Sequence, residues 1–228
     1  MSDIRGSNPA LLIAGGRPIN ETAVKSVLAA ELKNFEKPKV AYIGAANGDS
    51  AGFFETMRTF LLQAGASEVN FVRLAGGDTD TDAAVKTLSC ADAVFLSGGE
   101  VEDGIKHIDR HGLAGLLRNL YGAGKKFIGI SAGAIMLGDC WVRWDTPGDD
   151  DTAELFKCLG IIPHIFDTHA EDEDWIELKT ALKLMGDDST GIGIPRGGVI
   201  RAGCDGKIAN LIDEYLTFTY MNKNFLMT

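Results

Sequence analysis

The sequence is short of cysteine and of positive charge, and has no long apolar run; each shortage removes a class of protein. Its four cysteines, Cys90, Cys140, Cys158 and Cys204, are widely spaced and form no C-x-x-C pair. That leaves no disulfide framework or thiolate zinc motif to read, and predicts reduced thiols in the core. Lys and Arg number 22 against 32 Asp and Glu, a formal net charge of −10 at pH 7. Charge of that sign repels a phosphate backbone, so no nucleic-acid partner is expected. No stretch approaches the ~20 apolar residues of a spanning helix, and the Met1-Ser-Asp-Ile-Arg5 start has no secretory apolar segment. A cytoplasmic protein that binds no membrane is the expectation. What is present is ordinary globular composition: 228 residues, 45% hydrophobic and 24% charged. One domain spanning 1–228, with a substantial core, fits that length.

The most informative stretch is Lys126-Phe-Ile-Gly-Ile-Ser131-Ala-Gly-Ala-Ile-Met-Leu137. A short apolar strand runs into Gly129-Ile-Ser131-Ala-Gly133, the G-x-S-x-G pattern of a nucleophile elbow. Its glycines let the chain turn sharply, so that the serine hydroxyl stands above the sheet edge. A helix following it would aim free N–H groups at an oxyanion there. The plainer reading is a glycine-rich turn whose serine is an ordinary helix N-cap.

The rest of the chain alternates. Strands are expected at 11–14, 39–45, 69–74, 93–96 and 126–130. Amphipathic helices come between them, starting at Asn20-Glu21, carrying Phe53, Met57, Phe60 and Leu61, around 83–88, and as one helix from Ile105 to Leu120. Near-continuous apolar strands separated by such helices describe an α/β three-layer sandwich around a mainly parallel sheet. From Gly191 onward, short strand-like runs with turns predict antiparallel hairpins that finish the sheet. Ligands in such folds bind at strand carboxyl ends, which draws attention to Gly98-Gly99 as well as to the elbow. Without the elbow, Gly98-Gly99 reads as only a strand-end turn.

Leu96-Ser-Gly-Gly-Glu100, Gly129-Ile-Ser-Ala-Gly-Ala134 and Leu159-Gly-Ile-Ile-Pro-His-Ile-Phe-Asp-Thr-His169 occur in this order at suitable separations. Together they resemble the serine-peptidase family that contains dipeptidase E and cyanophycinase, whose fold is similar to class I glutamine amidotransferases. Asp167-Thr168-His169 looks closer to the cyanophycinase branch. The resemblance implies Ser131 as nucleophile and His169 as its general base, because a serine hydroxyl needs an imidazole to take its proton. It implies an oxyanion hole from Gly98, Gly99 and Ala132, a small peptide or isopeptide substrate, and no cofactor.

Two departures accompany the resemblance. Relatives usually carry a Glu where Gly191-Ile-Gly-Ile-Pro-Arg196 places Arg196, and a guanidinium has no acceptor for an imidazole N–H. Asp145 is the expected substitute for the triad acid. Where relatives carry basic residues after the histidine, this chain has Ala170-Glu-Asp-Glu-Asp-Trp175. That segment is an acidic helix start or, with Glu100 and Asp167, a wall favouring a basic substrate; Arg196 is counted with these substrate-binding candidates. A second reading is an inactive relative that binds a small molecule. A third is an amidase using Cys140. His107 and His111 have a metal-compatible spacing but no companion ligands, so no metal is expected. The apolar 218–227 tail suits packing on the core or a homodimer.

Overall fold

The computed structural model describes residues 8–77, 79–146 and 149–228. The Met1–Arg5 start and part of the acidic Trp144–Asp151 loop lie outside them. The chain opens with strand β1 (Ala10–Ile13), then helix α1 (Glu21–Leu32), β2 (Lys39–Ile43), α2 (Ala51–Gln63) and β3 (Glu68–Val72). It continues through α3 (Thr81–Cys90), β4 (Ala93–Leu96), α4 (Val101–Arg110), α5 (Ala114–Gly122) and β5 (Lys126–Ile130). Short α6 (Ala132–Met136) leads to a hairpin, β6 (Cys140–Trp144) and β7 (Ala153–Lys157). β8 (Ile165–Thr168) and α7 (Ile176–Met185) precede β9 (Ser189–Ile194), β10 (Val199–Ala202), β11 (Ile208–Ile212), β12 (Leu216–Met221) and β13 (Asn224–Met227).

The main sheet has seven strands in the order β11-β10-β1-β5-β4-β2-β3. β1, β5, β4, β2 and β3 run parallel, while β10 and β11 extend one edge antiparallel. Period-two alternation sends each strand into two cores at once. Leu11, Ile13, Tyr42 and Phe95 pack with α1 and α2, whereas Leu12, Ile43, Leu96 and Phe127 pack on the other face with α3 to α6. Each fully buried side chain of this size contributes about 1.5–3 kcal/mol. Asn20 caps α1 by accepting from Ala23 N–H, as the Asn20-Glu21 start predicts.

Three expectations need correction. The helix expected from Ile105 to Leu120 is two helices: Gly112 adopts φ 66, and His111 is tied to Leu74 O at 3.0 Å and to Thr81 Oγ1 at 3.2 Å. The C-terminal strands do not all finish the main sheet. β10 and β11 do, but β9, β12 and β13 form a second sheet in which β9 pairs parallel with β8. The tail packs there through Phe218, which is buried against Trp175. Finally, of the four free thiols only Cys158 is buried; Cys140 is half-buried, and Cys90 and Cys204 are exposed. Among the described residues, no helix is long and apolar enough to cross a membrane.

Candidate active site

β5 is flanked by β1 and β4, and Ser131 stands at its carboxyl end. Its backbone is held at φ 53 and ψ −124, an arrangement a non-glycine residue keeps only when its surroundings enforce it. Two hydrogen bonds do so: Ser131 N–H donates to Ile13 O at 2.9 Å, and Ala134 N–H donates to Ser131 O at 2.8 Å. The elbow is also packed backbone on backbone. A methyl group on Gly129 would lie 2.4 Å from Gly133 O, and one on Gly133 would lie 2.1 Å from Leu96 O. Only glycine fits at either position.

His169 follows β8, reaching the same rim from the second sheet. It too has positive φ, 48°, and its N–H donates to Ile194 O at 3.0 Å. Ser131 Oγ and His169 Nε2 are 2.9 Å apart. With the ring proton on Nδ1, Nε2 accepts the hydroxyl proton, which is the geometry of nucleophile and general base. Gly98 abuts the serine, since a methyl group there would lie 3.2 Å from Ser131 Cβ. Asn47, which the sequence shows only as part of a turn, braces this strand end. It donates from Nδ2 to Ser97 Oγ at 2.9 Å and to Gly98 O at 3.1 Å. In a planar trans peptide the next N–H points the opposite way, so Gly99 N–H faces away from Asn47. Asn47 Nδ2 also lies 3.4 Å from the hydroxyl of buried Tyr42, which links this turn to the core. Ala132 opens α6, where the first N–H groups have no intrahelical acceptor.

A pocket of about 300 Å³ gathers Ser131, His169, Ala132, Gly99, Glu100 and Asp167. That volume is at the small end for ligand pockets and suits a short substrate. The β6–β7 hairpin, not foreseen from sequence, contributes Trp141, Trp144 and Phe156 to its wall. Its tight alternation of aromatic and charged residues around a loop was the available signal.

Asp145 and Arg196 are not part of this gathering. Asp145 is exposed on the bend after β6 and does not line the pocket, although Trp144 before it does. Among the described residues, Nδ1 of His169 meets no carboxylate. Arg196 turns to the acidic segment: its N–H donates to Glu171 Oε1 at 2.6 Å and its guanidinium to Asp172 Oδ2 at 2.6 Å. Asp174 is bound by Lys179 at 2.7 Å. Of the four consecutive acids, only Glu173 lines the pocket, joined by Glu177 from α7. Burial, and then the neighbouring Glu177, push the Asp167 carboxyl up to about 8. Burial with Glu173 and Glu100 raises Glu177 as well.

Cys140 lies outside the pocket, and burial pushes its thiol up to about 11, opposite to what an activated thiolate needs. His164 Nε2 bonds Gly206 O at 2.8 Å and serves the fold. Among the described residues no group of three or more His, Cys, Asp or Glu is placed to hold a metal.

A peptidase from an acI-B1 actinobacterium has a similar fold, with a TM-score of 0.68 at 18% identity over 97% of this chain and 94% of that one. So does a protein from Listeria monocytogenes EGD-e assigned as peptidase E, with a TM-score of 0.67 at 16% identity over 92% of this chain and 100% of that one. No curated protein matches the chain in sequence. The family model of peptidase family S51 matches residues 10–208, a span that holds the elbow, the Gly98-Gly99 turn and His169, and the chain belongs to that family.

Proposed function

We propose that this protein is a serine peptidase that cleaves small peptides or isopeptide amides through an acyl-enzyme, with a preference for basic substrates. The observation that carries the reading is the 2.9 Å contact between Ser131 Oγ and His169 Nε2 in a pocket that Gly99 and Ala132 also line. Ser131 Oγ attacks the scissile carbonyl while His169 takes its proton. The oxyanion forms against those two N–H groups, each such donor contributing about 2.7–4 kcal/mol to the transition state. Collapse expels the amine, which takes the proton from His169, and water then hydrolyses the ester by the same route. Because Nδ1 of His169 meets no carboxylate among the described residues, turnover is expected to be slow, since losing that group from a triad costs about 10⁴-fold in kcat.

A small fluorophosphonate tests this directly. Ser131 Oγ displaces fluoride at phosphorus, so intact mass should show one adduct on the wild type and none on Ser131→Ala or His169→Ala. A folded wild type that gains no adduct overturns the reading. It would favour the second one, a binding protein in which Arg196 has replaced the family's acid.

A further inference from the structure

Charge in the pocket is unbalanced in a specific way. Its lining holds Glu100, Glu102, Asp167, Glu173 and Glu177 against a single guanidinium, Arg143. Arg143 is already engaged: it bonds Glu102 Oε1 at 2.7 Å and also pairs with Glu154. Lys106 completes the neutralisation of Glu102 at 2.8 Å. The other four acids have no cation within salt-bridge distance among the described residues.

The deepest of the four is the telling one. Asp167 is 2% exposed; its Oδ1 accepts from Thr168 N–H at 2.7 Å, and its Oδ2 accepts no hydrogen bond. Leu178 N–H lies near enough to favour the charged carboxyl slightly, but less than burial opposes it. A buried carboxylate oxygen without a donor is costly to keep, and the chain keeps it beside the nucleophile. Glu177 is half-buried in the same lining, and its charge raises the proton affinity of Asp167 further. The same lining includes the aromatic side chains of Trp141 and Trp144, on which a cation is also stabilised. One positive charge cannot balance this lining, even with one carboxyl protonated.

We infer that the pocket recognises a short peptide carrying two cationic centres, a free α-ammonium and a Lys or Arg side chain, held by Asp167 and Glu177 with Glu173 and Glu100. This rests on the peptidase reading and deepens it, yet its test is independent of turnover. Calorimetric titration of the full-length Ser131→Ala protein compares three probes: lysinamide with both charges, norleucinamide with only the α-ammonium, and Nα-acetyl-lysinamide with only the side-chain charge. Lysinamide should bind at least tenfold more tightly than either monocation. Glu177→Gln, at a half-buried site whose fold is checked by circular dichroism, should remove about tenfold of that affinity; Glu173→Gln, at an exposed site, should remove less. If either monocation equals lysinamide, or if none of the three binds, the two-charge inference is overturned. Fluorophosphonate labelling separates the cases. An adduct without lysinamide binding leaves the peptidase and removes the dication site. Lysinamide binding without an adduct does the reverse.

Discussion

The two walls of the pocket are built by opposite means. The nucleophile wall, from Gly98 to Gly99 and Gly129 to Gly133, is almost all backbone, with glycines in van der Waals contact and Asn47 and Ile13 as hydrogen-bond partners. The recognition wall, Asp167 with Glu173 and Glu177, is side-chain charge left short of partners. The first is over-determined, so that a strained serine keeps one geometry. The second holds electrostatic energy that a cation can release. Backbone packing and unpaired charge thus occupy different parts of the same rim.

The sharpest way to break this contrast is at the elbow. Gly133→Ala would drive a methyl group against Leu96 O and Ser97 O, both backbone atoms. Thermal unfolding should show a loss of about 3 kcal/mol or more, roughly 6–12 °C in a chain of this size. A melting temperature within about 2 °C of wild type would mean that the wall is less rigid than its contacts imply.

The recognition wall should respond with the opposite sign. With the Asp167 carboxyl pushed up from 3.8 to about 8, the folded chain holds a proton there that the unfolded chain has lost. Stability therefore falls as pH rises between those two values, by about 1.4 kcal/mol for each pH unit crossed. Asp167→Asn should melt several degrees above wild type at pH 9, with the gap closing as pH drops toward 4. A variant less stable than wild type at pH 9 would show that the buried carboxylate is compensated by its surroundings and not opposed by them.

The smallest effect is expected at Asp145. Because it is exposed and off the pocket, Asp145→Asn should change the fluorophosphonate labelling rate by less than about twofold, within the usual range of surface substitutions. A large loss of labelling would restore Asp145 as the acid behind His169.

Much of this architecture is legible in the chain. Apolar runs at 93–96 and 126–130, each closed by glycines, mark β4 and the elbow strand almost to the residue. Local signals suffice there because the strand period and the turn chemistry are both short-range. The second sheet is less legible. Whether β9 pairs with β8 or continues the main sheet depends on contacts between distant segments, and Gly191-Ile-Gly-Ile194 would suit either partner. The acidic segment after His169 shows the same limit. Sequence places four carboxylates together but cannot say that Arg196, 24 residues beyond Asp172, turns two of them away from the pocket.

By itself, then, the sequence determined an α/β domain with a serine elbow, a histidine to serve it and an acidic surface. Periodicity, glycine spacing and charge are properties of neighbouring residues, and a linear chain displays them. The tertiary structure alone decided that Asn47 braces the Gly98-Gly99 turn and that Asp145 stays outside. It also decided that Asp167 and Glu177 meet beside two tryptophans. Those outcomes depend on which strand ends share a rim, and that is set by the packing of the whole core.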